Sequence, residues 1–364
     1  MFTVNADSNP SPLRRAASAL LASPWLRPLN DAGAIDDLMS LVRPTWSLSA
    51  IRARVVGAVR ETARARTLLL QPNRHWPGHV AGQHASVEVE LRGRRLRRTF
   101  SLSSPPRGDG LVAITVKERQ GGLVSRWWNR EARVGDVVTL GAPSGDFVLP
   151  PSPSRVAMLS AGSGITSLMA MLRSLDDTRP AVFVHVARDA EDAIFLRELE
   201  GLAARRPALD LRLRFTARDG RPAEADWNAL AESCAGAPAY ACGPEGFLES
   251  VRLAWRGAGR EELLRVERFA PATRVVAAGD GGSASALRSG VRFPVAPGQS
   301  ILEAAEAAGL HPVHGCRIGV CHTCKCRKVS GTTRDLRDGR LSSEPGDLVQ
   351  PCISAAVGAV EVEL

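Results

Sequence analysis

The chain has 364 residues and a formal net charge of +9, from 47 Lys and Arg against 38 Asp and Glu, and 44% of its residues are hydrophobic. That length exceeds one comfortable hydrophobic core and predicts two or three domains, while the apolar content excludes a disordered chain. Arginine is scattered through every segment and forms no basic stripe interleaved with aromatics, so no nucleic-acid partner is expected.

Residues 1–50 are Pro-rich, carry Trp25 and Trp46, and are expected to be an extension that packs on or leads into the first domain. Within them, "LRRAASALLASPWLRP" (13–28) superficially resembles a signal peptide. Its apolar run is brief, Pro24 interrupts it and charge follows at once, which suits a short amphipathic helix better. No apolar run in the chain approaches the roughly 18 residues that cross a bilayer.

Residues 51–150 have a β texture. "IRARVVGAVRET", "ARTLLLQP", "HASVEVELRG", "RRTFSLSS", "LVAITVKER" and "GDVVTLGAPSGDFVLP" alternate apolar and polar residues between Gly and Pro turns. Such spacing predicts an antiparallel β-barrel. After "PPSPS" the texture changes. Over 151–270 the strands "RVAMLSAG", "AVFVHVAR", "LRLRFTAR" and "APAYACGP" alternate with the helical "SLMAMLRSL", "AIFLRELEGLAARR" and "EGFLESVRLAWRGAG". Alternation of this kind predicts an α/β domain on a parallel sheet. Residues 271–286 are small, polar and Gly-rich, the composition of a flexible linker. The last segment, 287–364, opens with the strand "GVRFPVAPGQ" and the helix "SILEAAEAAG", with Ser300 as N-cap and Glu303 three residues on.

Four of the seven cysteines lie in "HGCRIGVCHTCKC" (314–326). Cys316, Cys321 and Cys324 stand in a C-x4-C-x2-C arrangement, and Cys352 follows in "VQPCIS". This is the plant-type [2Fe-2S] spacing: two irons need four thiolates, three of them from one tight loop. Gly315 and Gly319 let that loop turn and aim its N–H groups at the sulfurs. A structural zinc site would show two paired ligand clusters, and Cys352 has no near partner. A dithiol oxidoreductase would start a thioredoxin-like helix with its C-x-x-C pair. Cys326 has no ligand role in the pattern, and His314 and His322 are expected at the surface. Clustered cysteines, odd in number, suit a reduced cytoplasmic compartment. Arg317, Lys325, Arg327 and Lys328 would form a basic rim for an acidic docking face or anionic headgroups, which implies peripheral contact with a membrane.

Such a cluster passes one electron at a time, whereas reducing power arrives as hydride, so flavin and nicotinamide sites are expected in the same chain. In "RRTFSLSS", Arg98 can pair with phosphate, Phe100 can stack on a flat ring and Ser101 can hydrogen-bond a flavin, with Thr99 between them. Val116 and Lys117 close the next strand. Gly121 and Gly122 then start a helix with Leu123, Val124 and Ser125, whose N–H groups and dipole suit a pyrophosphate. "AGSGITSLMAM" supplies Gly162, Gly164 and Thr166 in a strand, glycine turn and helix, without the full G-x-G-x-x-G pattern. "ACGPEGF" places Cys242, Gly243 and Pro244 at a strand end, where ligands of parallel sheets bind. Cys234 has no such context. "ERF" brings Phe269 to the end of the domain.

Together, in this order, these stretches resemble the ferredoxin–NADP reductase family, with its R-x-Y-S, G-x-x-S and C-G-P motifs, joined to a plant-type ferredoxin. The resemblance covers residues 51 to 364. It implies a multidomain enzyme: an antiparallel β-barrel for FAD, an α/β parallel-sheet nicotinamide domain and an α+β, β-grasp ferredoxin domain. It makes Cys242 and Ser101 the candidate catalytic residues. Phe100 replaces the usual Tyr, and Ser167 the usual Pro. The leader "PWLRPLNDAGAIDDLMSLVRPTWSLSAIRARVV" looks most like bacterial reductases that serve membrane fatty-acyl-CoA desaturases. The function implied is electron transfer from NADPH through FAD and [2Fe-2S] to such a desaturase. The alternative is the reductase component of an oxygenase or hydroxylase, and a non-enzymatic zinc or iron–sulfur module is a third reading. Arg188 and Arg218, at two strand ends, could pair with the 2′-phosphate of NADPH, while Asp189 could instead hold the free hydroxyl of NADH.

Overall fold

The computed structural model describes residues 35–36, 39, 41–91, 93–150, 155–269, 277, 279, 281–319 and 322–364. Trp25, the stretch 13–28 and Cys321 therefore lie outside the described residues. Among those described, no helix is long and apolar enough to cross a membrane.

The first body is a six-stranded antiparallel sheet of β1 (Ile51–Thr62), β2 (Ala65–Pro72), β3 (His84–Leu91), β4 (Arg94–Ser101), β5 (Val112–Lys117) and β6 (Val137–Leu140), in the order β4-β3-β6-β1-β2-β5. A bridge from Leu102 to Ile114 joins the β4 end to β5, so the sheet curls toward a barrel. Alternate residues point inward, and Val55, Leu68, Leu70, Val87, Leu102 and Ile114 form its core. Helix α1 (Leu123–Arg130) covers one end and buries Trp128 completely. The segment before β1 is tied to this body, because Asn73 donates to the carbonyls of Thr45 (3.1 Å) and Ala50 (3.0 Å).

The second body is an all-parallel five-stranded sheet, ordered β11-β10-β7-β8-β9. Its strands are β7 (Val156–Ala161), β8 (Ala181–Ala187), β9 (Leu209–Phe215), β10 (Ala239–Cys242) and β11 (Leu264–Glu267). Every residue of β7, β8 and β10 is buried, as befits strands covered on both faces. The covering helices are α2 (Ile165–Ser174), α3 (Leu196–Arg205), α4 (Glu224–Ser233) and α5 (Glu245–Gly257). The expected helix "AIFLRELEGLAARR" begins late, at Leu196, because Phe195 sits at φ 62° and cannot belong to a right-handed helix. Cys234 is a core residue of this layer. The barrel and this body are joined by Lys117 to Asp192 at 2.6 Å and by the Tyr240 hydroxyl donating to the Val148 carbonyl at 2.8 Å.

The third body is a mixed six-stranded sheet of β12 (Gly281–Ala286), β13 (Val291–Val295), β14 (Cys326–Asp335), β15 (Leu341–Ser342), β16 (Leu348–Val349) and β17 (Ser354–Val362). Helix α6 (Ile301–Ala307) packs on it through Ile301, Ala304 and Ala305. Its Ser300 cap accepts from the Glu303 amide at 3.2 Å and Glu303 returns the contact to the Ser300 amide at 3.0 Å, the reciprocal pairing foreseen. The linker composition of 271–286 proves misleading over its last six residues. Gly281–Ala286 is a strand that pairs with β13 and runs parallel to β17. Gly282 is there because a Cβ would strike the Gly358 carbonyl of the neighbouring strand.

Candidate active site

A cleft of about 880 Å3 is lined by all three bodies. The barrel contributes its floor: Arg98, Thr99, Phe100 and Ser101 from the end of β4, with Val116 and Lys117 from β5. One wall is the turn into α1, Gly121 to Ser125. Gly121 takes φ 72°, a left-handed turn that favours glycine, and Gly122 leaves no room for a Cβ against Ser125 Oγ. Ser125 Oγ accepts from the Arg119 amide at 3.1 Å and fixes the turn. Phe100 packs against Trp128, their rings 5.8 Å apart, so the aromatic that stands in for tyrosine is held in place.

The side chains of this floor are unspent. Among the described residues, the buried hydroxyls of Thr99 and Ser101 have no hydrogen-bond partner. Buried polar atoms are normally satisfied, so these two hydroxyls in one cleft fit a polar ligand. Arg98 and Arg119 are likewise without a carboxylate within ion-pair distance among the described residues; the Arg98 guanidinium donates to the Arg97 carbonyl at 2.7 Å. Partial desolvation of Arg98, followed by the charges of Arg317 and Arg119, lowers its pKa. A flat polar ring over Phe100 and a phosphate at the arginines would meet every one of these needs.

The second body supplies the opposite wall. Gly162 to Gly164 form a single turn of 3-10 helix between β7 and α2, and Ser163 and Thr166 face the cleft. Gly164 and Gly243 permit the contact between the β7 and β10 ends, because a Cβ on the first would overlap the Cys242 carbonyl and one on the second would meet the Phe247 ring at 2.7 Å. Cys242 itself is fully buried behind this wall. Its Sγ donates toward Glu267 Oε2 at 3.8 Å, and Glu267 Oε1 lies 3.8 Å from His84 Nδ1. Burial first, then the Glu267 charge, pushes the Cys242 thiol well up, so it is a protonated thiol at neutral pH. Glu267, Arg268 and Phe269 enter the cleft directly. Pro244 caps α5 behind the wall. Arg188 and Arg218 stand outside the cleft at the neighbouring ends of β8 and β9. Both are exposed; Arg218 is paired with Asp219 at 2.7 Å, and Arg188 lies 3.9 Å from Asp189. The Ala217 amide donates to the Arg188 carbonyl at 2.8 Å and ties the two ends together.

The third body closes the cleft with Glu303, Cys316, Arg317 and Ile318. Cys324 and Cys352 bring their sulfurs to 3.3 Å, near the ~3.7 Å separation of two thiolates on one tetrahedral metal with bonds of about 2.3 Å. The Cys352 thiol is pushed up by its hydrogen bond with Cys324, by burial and by the charges of Cys324 and Cys316, which places all three sulfurs in one neighbourhood. A cation there would reverse that penalty, so the donor set fits a thiolate-bound cluster. The Ile318 amide points at Cys316 Sγ from 3.4 Å, and Gly319 turns at φ 81°. Cys326 stands apart in β14, its thiol pushed up to about 12 by burial and then by Cys324.

The expected basic rim is corrected in two places. Lys328 is completely buried and donates to the Ser342 carbonyl at 2.6 Å, because β14 turns it inward. Arg317 faces the cleft and is held by Glu306. Lys325 and Arg327 remain exposed. His322 is exposed as expected, whereas His314 is drawn into the Arg317 contact at 2.8 Å. The reading from sequence missed His84, Arg119 and the Glu306–Arg317 pair. None carries a motif, and their roles depend on which bodies meet.

Fold and site together define a modular flavin and iron–sulfur oxidoreductase. Residues 57–149 match the oxidoreductase FAD-binding domain, and residues 286–356 match the 2Fe-2S iron-sulfur cluster binding domain. The chain is 37% identical over 338 residues to the NADPH oxidoreductase of Mycobacterium tuberculosis, across 89% of this chain and 87% of that protein. It is 29% identical to the glycine betaine monooxygenase reductase subunit of Chromohalobacter salexigens, across 88% and 96% of the two chains. Phthalate dioxygenase reductase shares the fold, with a TM-score of 0.63 at 24% identity over 86% of this chain and 98% of that one. The chain belongs to the ferredoxin–NADP reductase superfamily, in the branch that carries a C-terminal plant-type [2Fe-2S] domain.

Proposed function

We propose that this protein is the NADPH-dependent reductase component of an oxygenase system. The observation that carries this reading is the shared cleft: Arg98 to Ser101 of the barrel, Ser163 and Thr166 of the parallel-sheet body and Cys316 of the third body meet around one space. When bound, flavin converts hydride into single electrons and the cluster relays them outward. The chain's own residues do the positioning. Phe100 supports the ring, and the Ser101 and Thr99 hydroxyls satisfy its polar edge. Arg98, with the Gly121 to Ser125 turn and its helix N-terminus, takes the phosphates. The walls formed by Ser163, Thr166 and Phe269, backed by Cys242, Gly243 and Pro244, hold the nicotinamide against that ring and exclude water. Cys242 acts as a neutral thiol that shapes this wall, since burial keeps it protonated. Arg188 and Arg218, at the neighbouring ends of β8 and β9, would take the 2′-phosphate of NADPH, and the name of the mycobacterial relative supports that cofactor. Cys316, Cys321, Cys324 and Cys352 hold the cluster.

The relatives' names support an oxygenase as acceptor over a membrane desaturase, which the leader resemblance favours; residues 24–34 of that leader lie outside the described residues. The two are separated by reconstitution. NADPH oxidation by the purified protein is followed with host membranes and stearoyl-CoA, and separately with the soluble fraction. We expect no unsaturated product that depends on acyl-CoA. Its appearance would restore the desaturase and overturn the oxygenase reading.

A further inference from the structure

The iron–sulfur domain does more than rest beside the flavin cleft; it places a cation inside it. Arg317 follows Cys316 directly and lines the cleft with Arg98 and Arg119. It adopts φ 62°, a left-handed conformation that non-glycine residues seldom take and that commonly marks a functional position. Its guanidinium is held from behind. Both terminal nitrogens donate to Glu306, at 2.8 and 2.5 Å, and one also meets His314 Nε2 at 2.8 Å. A bidentate carboxylate fixes the plane of an arginine and leaves its remaining N–H groups aimed elsewhere. Arg317 is also the charged group that perturbs Arg98 most, ahead of Arg119, although the three belong to two different bodies.

Three guanidinium groups gathered around one space repel one another unless an anion joins them. Among the described residues this trio holds one carboxylate, Glu306, and it belongs to Arg317. Arg98 and Arg119 have none among the described residues. A ring-bearing ligand that brings a diphosphate matches that surplus.

We propose that Arg317 is the third arm of the anion site that takes the diphosphate of the flavin, so that the iron–sulfur domain completes the flavin site of the barrel. This rests on the flavin reading of the cleft given above. Its consequence is reciprocal coupling: whatever draws the iron–sulfur domain onto the barrel strengthens flavin binding, and flavin binding holds that domain in place.

The test is the affinity of the full-length apoprotein for FAD and for riboflavin, which shares the ring and lacks phosphate, read from quenching of flavin fluorescence. The variants are Arg317→Gln, Arg317→Lys, Arg98→Gln and Lys325→Gln, and the visible absorbance of the cluster reports that the loop is folded. Loss of one charge-assisted contact predicts FAD binding about 10-fold weaker or more in Arg317→Gln. The loss should be smaller in Arg317→Lys, which keeps the charge and the loop, and riboflavin affinity should be unchanged in both. Lys325→Gln should match the wild type. Equal losses for FAD and riboflavin, or unchanged FAD affinity in Arg317→Gln and Arg317→Lys, would overturn the proposal. If Arg98→Gln also left FAD affinity unchanged, the flavin reading of the cleft itself would fall, which separates the two failures.

Discussion

His185 shows how a single side chain can set a pH limit on the whole fold. It lies in β8, fully enclosed, with Nδ1 2.8 Å from the Ser160 hydroxyl and, among the described residues, no partner for Nε2. Burial, then the Lys117 charge, lowers its pKa from 6.5 to about 4, against a smaller opposing pull from Asp192. A depressed folded-state pKa means stability is fully present above 6.5 and is lost as pH falls toward 4, where the folded protein must accept the charge. The difference is worth about 3 kcal/mol at most. Urea unfolding between pH 7 and 4 should therefore show a steeper loss for the wild type than for His185→Gln. Parallel curves would show that this imidazole is not buried in neutral form.

Residue types also decided what could be read in advance at the site. The cysteines, the R-T-F-S stretch and the C-G-P stretch are legible because their chemistry dictates local spacing. His84 and Glu267 are in contact across 183 positions of chain, counted from 84 to 267, and no local spacing could announce that. Lys328 was placed on a rim because charge usually faces water; a carbonyl partner, the Ser342 oxygen, allowed it inside.

At the scale of elements, alternation and helix periodicity located the barrel strands and the four parallel strands with the motif turns at their ends. Several elements escaped, among them α4, β14 to β17, and two whose reasons are plain. The strand β11 is four residues long and half-exposed at the sheet edge, which leaves little apolar pattern. The strand β12 was hidden by its composition, since Gly, Ser and Ala normally signal a linker. Here they allow two parallel backbones to approach. Gly282→Ala should therefore destabilise the third body by more than about 2 kcal/mol, the range expected when an atom is forced into a packed backbone. Thermal unfolding followed at the cluster absorbance would reveal it. A variant with an unchanged midpoint would return Gly281–Ala286 to the status of a linker.

For the whole molecule, the arrangement of bodies matters more than any one motif. The barrel and the parallel sheet share a buried boundary through Tyr240, Phe147 and Lys117. The iron–sulfur body meets both around the cleft and around a second hollow of about 930 Å3 that His84, Glu267, Gly319 and Gln350 share. Cys316 thereby lines the same space as Phe100 and Ser101. The most direct test is anaerobic addition of NADPH to the holoprotein, with paramagnetic resonance of the [2Fe-2S] cluster as readout. The account predicts that NADPH reduces the cluster in the wild type and fails to do so in a variant that carries Arg98→Gln and Ser101→Ala, although dithionite still reduces that cluster. A wild-type cluster that stays oxidised with NADPH while dithionite reduces it would contradict the account.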